Sequence, residues 1–356
     1  MKITVIGSGN IGTLMAAEMA HRGHAVTIYT SKPEKWQKEI TVFSSKEKPL
    51  FSGTLAEVTS DLKQAIRNAR LIWITLPAQL FSSLAQRLSP LLEKGQIIGI
   101  VPGSGGAEFA FHDLIKSQKC TFFGLQRVHC IARLREYGKS VYMLGRKKEL
   151  QLATIPAGTS AGLSSVIASF FEIPCIALPN YLCVTLTPSN PILHTTRLYS
   201  LFRDYKPGRL YFRNVLFYED WDDEASGLLI ACDNELQRLC KAIPMDLTNV
   251  KSLKVHYESQ TITAMTRKIS GIAAFKGLLS PMERVNDSWI PDFTSRYFTA
   301  DFSYGLKVIK DISALFGVRT PCIDKIWNWY LTTNPEDAKK AFSLKLSKDE
   351  FLQLYR

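Results

Sequence analysis

The sequence contains no long hydrophobic run. No stretch approaches the about 18 consecutive apolar residues that a transmembrane helix requires, so we expect no contact with a membrane. The first residues, from Met1 to Gly7, lead directly into an apolar strand, which leaves no room for a signal peptide. We therefore expect a cytoplasmic protein.

Cys-x-x-Cys pairs are also absent, although the 356 residues include seven cysteines. An odd number of cysteines in a chain of this length is typical of reduced thiols rather than of a disulfide framework. Since the cysteines also lack the spacing of zinc ligands, we expect no metal site.

Basic runs interleaved with aromatic residues are missing too, which argues against a nucleic acid as partner. The net charge is nevertheless +12, from 44 basic and 32 acidic residues. This excess has two interpretations: lysines spread over solvated faces, or attraction of anionic ligands such as dinucleotide phosphates and carboxylate substrates. The 46% hydrophobic and 21% charged residues are typical of a globular protein, and the length suits two domains.

The first half of the chain alternates apolar strands with helical segments. Ile3–Ile6, a glycine turn, a helix over Ile11–His21 and a strand over Ala25–Tyr29 form a βαβ unit. Further strands are predicted at Leu71–Leu76, Gln96–Val101, Cys120–Gly124 and Ser140–Leu144, and helices at Leu62–Asn68, Ala78–Leu92 and Glu108–Ser117. This alternation predicts an α/β Rossmann domain with a doubly wound parallel sheet.

Long helical candidates dominate the second half of the chain. They are predicted at Asp222–Ala242, Val250–Lys268, Gly305–Phe316 and Ile323–Tyr330, separated by aromatic-rich loops at Tyr205–Trp221 and Ser280–Ser295. We therefore predict a dinucleotide-binding domain over residues 1–180 and an all-α, substrate-binding domain over residues 181–356.

The strongest local motif is Gly7-Ser8-Gly9-Asn10-Ile11-Gly12, a G-x-G-x-x-G between a strand and a helix. The glycines allow a tight turn, the approach of the backbone to a pyrophosphate and close packing of helix on strand. The helix N-terminus adds free N–H groups and a positive dipole end. We assign Gly7, Gly9, Asn10, Ile11 and Gly12 to a dinucleotide site.

The end of the second strand carries Thr30-Ser31-Lys32 in place of the Asp or Glu that binds the ribose 2′-hydroxyl of NAD. Hydroxyls and an ammonium would accept a 2′-phosphate, so we expect NADPH rather than NADH. The other interpretation is that these are ordinary loop residues.

Two further strand ends are assigned to the same site, because ligands of open α/β sheets lie beyond the carboxyl ends of the strands. The first contributes Leu76 and Pro77, and the second, in the glycine-rich segment 101–106, contributes Pro102 and Gly103. We expect the glycine-rich backbone to lie against the nicotinamide half.

The second half contains two isolated polar clusters. In the first, at residues 187–196, Pro191 suits a helix start, Asn190 its N-cap, and His194 falls in the first turn. A lone histidine is more often structural than catalytic. The second cluster, at residues 295–306, supplies a candidate partner in Asp301 and a basic residue in Arg296.

At these clusters the chain resembles the opine dehydrogenase family, the octopine/nopaline dehydrogenases. That family has an Asn-Pro-x-x-His segment at the head of its second domain and a later Arg-Tyr-x-x-x-Asp-x-x-x-Gly-Leu segment, and both are found here in the same order. Residues 274–281 and Thr320-Pro321 are also similar to the family. One departure is Gln126, which stands where the family often has Glu.

The resemblance implies that His194 is the catalytic acid/base, that Asp301 orients it, and that Arg296 binds a substrate carboxylate. Asn190 and Thr195 are assigned to the substrate site with them. It also implies a reductive condensation of an amino acid with a 2-oxo acid, in which the hydride reduces an imine. The amino acid and the oxo acid remain open, as does the oligomeric state, for which a homodimer is one option.

Two other functions fit parts of the sequence. A ketopantoate-reductase-like hydroxy-acid dehydrogenase would have the same Rossmann opening and helical second domain, but it needs a lysine with asparagines, for which we find no convincing constellation. A non-catalytic NADP-binding redox sensor would bind the cofactor without turnover.

Overall fold

The computed structural model describes residues 1–355, and for Ala274 the backbone alone. The chain forms two compact units, one of Met1–Thr185 with the C-terminal segment that begins at Asp349, and one of Leu186–Lys348. This C-terminal segment was expected to belong to the helical domain. It packs with the first unit because Phe351 stacks on Phe109 and the Tyr355 hydroxyl donates to Glu108.

The elements of the first unit alternate for most of its length. They are β1 (Lys2–Ile6), α1 (Asn10–His21), β2 (Ala25–Tyr29), β3 (Glu39–Phe43), β4 (Pro49–Thr54), β5 (Glu57–Thr59), α2 (Leu62–Ile66), β6 (Leu71–Ile74), α3 (Phe81–Leu88), β7 (Gln96–Ile100), α4 (Ala107–Ala110), α5 (His112–Lys116), β8 (Cys120–Leu125), β9 (Cys130–Glu136), β10 (Ser140–Arg146), β11 (Leu150–Ile155), α6 (Ser160–Phe171), β12 (Cys175–Ala177) and α7 (Leu182–Thr185). Short 3₁₀ turns occur at Pro33–Lys35, Ala78–Leu80 and Ala157–Thr159.

The main sheet has eight strands in the order β12-β11-β8-β7-β6-β1-β2-β5. Its strands pair in parallel except for β11, which runs antiparallel to β8. The predicted doubly wound sheet is therefore present and mostly parallel. Strand β1 lies between β2 and β6, where the order of the strands reverses, and ligands of such sheets bind at this switch point.

One predicted strand of the parallel series belongs elsewhere. Residues Ser140–Arg146 form β10 of a second, four-stranded sheet with the order β4-β3-β10-β9. Strand β10 follows β9 through a tight turn in which Gly138 has a φ of +74°, so the two strands pair as an antiparallel hairpin. A strand that returns through such a turn cannot continue a parallel sheet.

The second unit is helical, with one short hairpin. It contains α8 (Asn190–Phe202), α9 (Asp223–Ala242), α10 (Leu253–His256), α11 (Ile262–Ser270), a 3₁₀ turn (Ala273–Phe275), β13 (Met282–Val285), β14 (Ser288–Pro291), α12 (Arg296–Thr299), a π-helical turn (Phe302–Leu306), α13 (Lys307–Leu315), α14 (Pro321–Thr333) and α15 (Pro335–Ala338), and α16 (Lys348–Leu354) ends the chain. None of the helices in the described part of the chain combines the length and the apolar character that a bilayer crossing requires.

Two sequence predictions for this unit differ from the structure. The helix predicted over Val250–Lys268 is two helices, α10 and α11, because Glu258 between them adopts a left-handed φ of +51°. The loop predicted over Ser280–Ser295 contains the antiparallel strands β13 and β14.

A buried carboxyl group anchors the C-terminal helix in the first unit. Glu108 is fully buried, and its Oε1 accepts hydrogen bonds from the hydroxyls of Tyr355, at 2.8 Å, and Thr185. Its Oε2 has no partner among the described residues. Burial raises the pKa of Glu108 to about 7, more than these hydrogen bonds lower it.

This shift predicts how the stability of the protein depends on pH. The pKa of Glu108 is about 7 in the folded state and near its ordinary value of 4.5 in the unfolded state, so the folded state binds the proton more tightly. The contribution of Glu108 to the free energy of unfolding therefore falls as the pH rises between these values and is constant above. Glu108→Gln should remove this fall, an effect on the order of 3 kcal/mol.

The measurement is urea unfolding of both proteins between about pH 5 and pH 8. Relative to the wild type, the variant should gain stability across this range. The exposed Glu93 offers a matched control, since Glu93→Gln makes the same chemical change on the surface of the same unit. If all three proteins have the same pH dependence, Glu108 does not titrate as described.

Candidate active site

The glycine turn at the end of β1 leaves open space before the N-terminus of α1. Gly7 has a φ of +119°, and a Cβ on Gly12 would lie far inside van der Waals contact with the Gly7 carbonyl oxygen. Gly9 is the N-cap of α1, and a Cβ there would meet no atom within 4 Å. The first turn of α1 has no acidic side chain, so its positive end is available to an anion. These residues fit a dinucleotide pyrophosphate.

Three hydroxyl groups form a cluster at the ends of β1 and β2. The Oγ1 of Thr30 lies 3.0 Å from the Oγ of Ser8 and 3.0 Å from the hydroxyl of Tyr137, and Ser8 and Tyr137 are 2.9 Å apart. Thr30 is 3% exposed, whereas Ser31 and Lys32 are exposed. The hydroxyl of Thr30 is thus engaged within the protein, and the two exposed residues are the ones free to meet a ligand.

Tyr137, in the turn between β9 and β10, is a member of this cluster that the sequence analysis missed. Burial raises the pKa of Tyr137, but its hydrogen bonds with Ser8 and Thr30 and the nearby Lys32 ammonium lower it more, so the pKa is below its ordinary value. The charge of Lys32 therefore acts at the hydroxyl cluster, beside the glycine turn. No local motif marks Tyr137, because it is distant in sequence from the residues that it contacts.

Other residues assigned to the cofactor hold the fold itself. The Oδ1 of Asn10 accepts from the backbone N–H of Leu134 at 2.9 Å, and Ile11 packs against the core of the unit. Gly103 donates its N–H to Leu125 and accepts from the hydroxyl of Tyr181.

Gly103 is also closely packed within the first unit. A Cβ on it would lie 2.7 Å from the Cα of Gly124, so close packing requires a glycine at this position. Leu76 borders Gly7, since a Cβ on Gly7 would lie 3.3 Å from its Cδ2. Pro77 and Pro102 are exposed.

In the second unit, His194 lies between two polar partners. Its Nδ1 is 2.7 Å from the Oδ2 of Asp301, and its Nε2 is 2.8 Å from the hydroxyl of Tyr218. His194 and Tyr218 are buried, and the side chain of Asp301 is 17% exposed. The structure thus brings together the two residues that the sequence analysis paired and adds Tyr218, which that analysis placed in a loop without a role.

Helix α8 and the π-helical turn position the two members of this pair. Helix α8 begins at Asn190 with Ser189 as its N-cap, one residue earlier than the predicted start, and Pro191 lies in its first turn. Asp301 directly precedes the π-helical turn. Gly305 in this turn allows close packing on α8, because a Cβ there would lie 2.9 Å from the Cγ of Pro191. π-helical turns are frequent at functional sites.

The remaining predicted residues differ in their access to a substrate. Arg296, the first residue of α12, is exposed and has no ion-pair partner among the described residues, and its charge acts on Tyr218. Asn190 is exposed. Thr195 is fully buried, and its hydroxyl donates to the carbonyl of Pro191 at 2.6 Å. A hydroxyl that is buried and satisfied in this way does not fit the substrate contact assigned to Thr195.

Arg197, which the sequence analysis also missed, supports the loop that carries Tyr218. It is fully buried, and its guanidinium donates to the carbonyl oxygens of Phe217 and Asp220 and to the carboxylate of Asp222. Burial lowers the pKa of Arg197, and the carboxylate of Asp222 opposes this. Because one guanidinium donates to all three acceptors, it holds the backbone of residues 217–222 in place next to His194.

Among the described residues, no group of three or more His, Cys, Asp or Glu side chains is arranged to hold a metal ion.

Comparisons with known proteins match both units. The helical domain of NAD/NADP octopine/nopaline dehydrogenases matches residues 177–333. The N-terminus of NAD-dependent glycerol-3-phosphate dehydrogenases matches residues 2–109. Octopine dehydrogenase of Pecten maximus is 26% identical over 92% of this chain and 89% of its own length. Tauropine dehydrogenase of Arabella iricolor is 26% identical over 92% and 90%, respectively.

Solved structures show the same fold. Octopine dehydrogenase with NADH and L-arginine aligns with a TM-score of 0.83 at 24% identity, over 94% of this chain and 89% of that one. Yersinopine dehydrogenase with NADP⁺ aligns with a TM-score of 0.67 at 11% identity, over 99% and 95%. A 2-dehydropantoate 2-reductase from Geobacter metallireducens aligns with a TM-score of 0.66 at 13% identity, over 94% and 100%.

The glycine turn generates a prediction that separates binding from folding. Gly9→Val should abolish dinucleotide binding, because its side chain would enter the open space before α1, and the melting temperature should change little. Gly12→Ala should instead destabilise the unit, because its Cβ would collide with the Gly7 carbonyl. Binding is measured by quenching of the intrinsic protein fluorescence, and stability by thermal unfolding. Normal dinucleotide binding by the Gly9 variant would contradict the placement of the phosphates.

Proposed function

The chain belongs to the opine dehydrogenase family of NAD(P)-dependent oxidoreductases, and from this premise we propose that it condenses an amino acid with a 2-oxo acid and reduces the resulting imine. The observation that carries the proposal is the arrangement of His194 between Asp301, at 2.7 Å, and Tyr218, at 2.8 Å. A histidine oriented by a carboxylate is a proton-transfer device, which this condensation requires.

The reaction begins when the amine of the amino acid adds to the carbonyl carbon of the 2-oxo acid. The hydroxyl of this adduct then leaves as water, which needs a proton, and His194 supplies it. Asp301 accepts a hydrogen bond from Nδ1, holds the imidazole in one tautomer and stabilises the imidazolium form. Gly7, Gly9 and the N-terminus of α1 would hold the dinucleotide, which would supply the hydride for reduction of the imine.

Arg296 is proposed to bind a substrate carboxylate. It is exposed, it has no ion pair within the described residues, and its charge acts at Tyr218, next to His194. Its planar fork matches a carboxylate in two parallel hydrogen bonds. Amino acids and 2-oxo acids both carry this group.

Substitutions should separate these roles. His194→Ala should lower kcat by roughly 10²–10⁴-fold with little effect on dinucleotide affinity, because it removes the proton-transfer group and leaves the glycine turn intact. Asp301→Asn should resemble it, because an amide no longer fixes the tautomer. Arg296→Ala should chiefly raise the KM of one substrate, by about 10- to 100-fold. Arg284→Ala is the matched control, since Arg284 is an exposed arginine in the hairpin of the same unit.

The assay is the oxidation of NADPH and NADH with amino acids crossed with pyruvate, 2-oxoglutarate and oxaloacetate, with mass spectrometry of the product. Near-normal turnover of His194→Ala on a substrate that the wild type reduces would remove the opine dehydrogenase function. The 2-reductase of similar fold shares only the fold. Formation of a hydroxy acid in the absence of an amine would favour the ketopantoate-reductase-like function. Cofactor binding without any turnover would favour the redox sensor.

We further propose that the enzyme prefers NADPH. Ser31 and Lys32 are exposed at the end of β2, and no carboxylate occupies residues 30–32, so a 2′-phosphate would find an ammonium and a hydroxyl. The structures of related proteins contain either cofactor: NADH in octopine dehydrogenase and NADP⁺ in yersinopine dehydrogenase.

Lys32→Ala should therefore weaken NADPH binding by about tenfold and leave NADH binding nearly unchanged, because the lost contact is with the 2′-phosphate alone. Lys35→Ala is the control, since Lys35 is another exposed lysine three positions further along the chain. Dissociation constants of both cofactors decide the question. Equal or tighter binding of NADH by the wild type would contradict the preference.

A further inference from the structure

Both ring nitrogens of His194 are engaged. A carboxylate only accepts hydrogen bonds, so the Nδ1 that contacts Asp301 at 2.7 Å carries a proton. The nitrogen that gains and loses a proton during a reaction is then Nε2. Its neighbour is the hydroxyl of Tyr218, at 2.8 Å, and this contact is buried. A proton that reaches or leaves Nε2 therefore meets the phenol oxygen first.

The ring of Tyr218 is held on several sides. It stacks on Phe275 with ring centroids 4.1 Å apart, lies nearly parallel to Trp221 at 6.3 Å and meets Phe217 edge-on at 4.9 Å. Only 4% of Tyr218 is exposed. The hydroxyl cannot turn away from His194 without unpacking these rings, which distinguishes it from an exposed phenol that a substrate would displace.

Tyr218 is also a neutral phenol under ordinary conditions. Burial raises its pKa well above the ordinary value, and the neighbouring Tyr297, Tyr257 and Asp301 add to this, while Arg296 opposes it. A neutral hydroxyl donates one hydrogen bond and accepts others at the same time, so it can pass a proton on without holding a charge. The pKa of Tyr218 thus responds to the charge of Arg296, the residue proposed to hold the substrate carboxylate.

We propose that Tyr218 is a catalytic residue that transfers the proton between His194 and the substrate, so that Asp301, His194 and Tyr218 act as one relay. This inference rests on the proposed condensation and specifies the atom that meets the reacting oxygen. Tyr218 lies outside the two segments that contain His194 and Asp301, so neither segment indicates this role.

Loss of water from the adduct moves two protons along the relay. The nitrogen lone pair of the adduct forms the C=N bond as the C–O bond breaks, which gives the protonated imine. The electron pair of the C–O bond leaves with the oxygen, which takes the proton of the Tyr218 hydroxyl and departs as water. The Tyr218 oxygen takes the Nε2 proton of the imidazolium in the same step. Tyr218 begins and ends as a neutral phenol, and His194 ends as neutral imidazole beside Asp301. No tyrosinate forms, so the raised pKa of Tyr218 is no obstacle.

Tyr218→Phe tests the relay, because it keeps the stacked ring and removes only the hydroxyl. It should lower the pH-independent limit of kcat by about 100-fold or more, with KM and dinucleotide affinity changed only a few-fold. Tyr199→Phe is the control, since Tyr199 is another largely buried tyrosine and lies on α8 with His194. If Tyr218 only orients His194, the variant will regain near wild-type kcat at a shifted pH optimum, and the relay is overturned.

A double substitution tests whether the two residues act in series. The double variant His194→Ala/Tyr218→Phe should be no slower than His194→Ala alone, because without His194 the relay already transfers no proton. Losses that multiply would mean independent roles and would overturn the proposal. If the wild-type enzyme forms no opine-type product from any substrate pair, the proposed function is wrong. If the wild-type enzyme is active and Tyr218→Phe is equally active, only the relay is wrong.

The wild-type enzyme offers a test that needs no variant. Two protons move together in the relay, so kcat measured in mixtures of H₂O and D₂O should depend on the deuterium fraction along a curve. A straight line would indicate a single proton in flight and would overturn the relay even if Tyr218→Phe failed to fold.

Discussion

The candidate active site depends on the buried guanidinium of Arg197. Its hydrogen bonds to the carbonyls of Phe217 and Asp220 and to the carboxylate of Asp222 tie α8 to the loop before α9. Asp222 also caps α9 through the N–H of Ala225 at 2.7 Å. A buried cation that lost these partners would be strongly destabilising, by about 3–5 kcal/mol where both ions are buried and less here because Asp222 is half exposed. The same contacts place Tyr218 against His194.

The other side of the site depends on Gly305, which has no side chain to keep the π-helical turn away from α8. Gly305 lets the π-helical turn approach Pro191 at the start of α8, and this approach brings Asp301 to His194 although 107 residues separate them in sequence. Histidine and carboxylate are thus fixed by two packed helical elements, while Arg197 fixes the phenol. Proton transfer needs distances held to a few tenths of an ångström, and rigid elements supply this better than loops do.

Features that depend on short stretches of sequence could be predicted from the sequence alone. The βαβ opening, the glycine turn and the five central strands of the main sheet (β8, β7, β6, β1 and β2) follow from short-range periodicity. The pairing of His194 with Asp301 followed from the two family-like segments; their catalytic roles stay predictions. Roles for Tyr218, Arg197 and Tyr137 were not predicted, because these roles depend on contacts that no local sequence pattern indicates. Helix prediction over Val250–Lys268 was wrong for a related reason, since periodicity does not reveal a left-handed residue such as Glu258.

The cofactor site shows how structural and selective roles divide among neighbouring residues. Thr30 occupies the position at which an acidic residue would select NAD, yet its hydroxyl is buried against Ser8 and Tyr137. A carboxylate at this position would enter a closed cluster of hydroxyls rather than a free ribose site, so it would act on the fold of the glycine turn as well as on cofactor choice. The proposed selectivity is therefore placed on the exposed residues beyond Thr30, foremost Lys32, because their side chains lie outside that cluster.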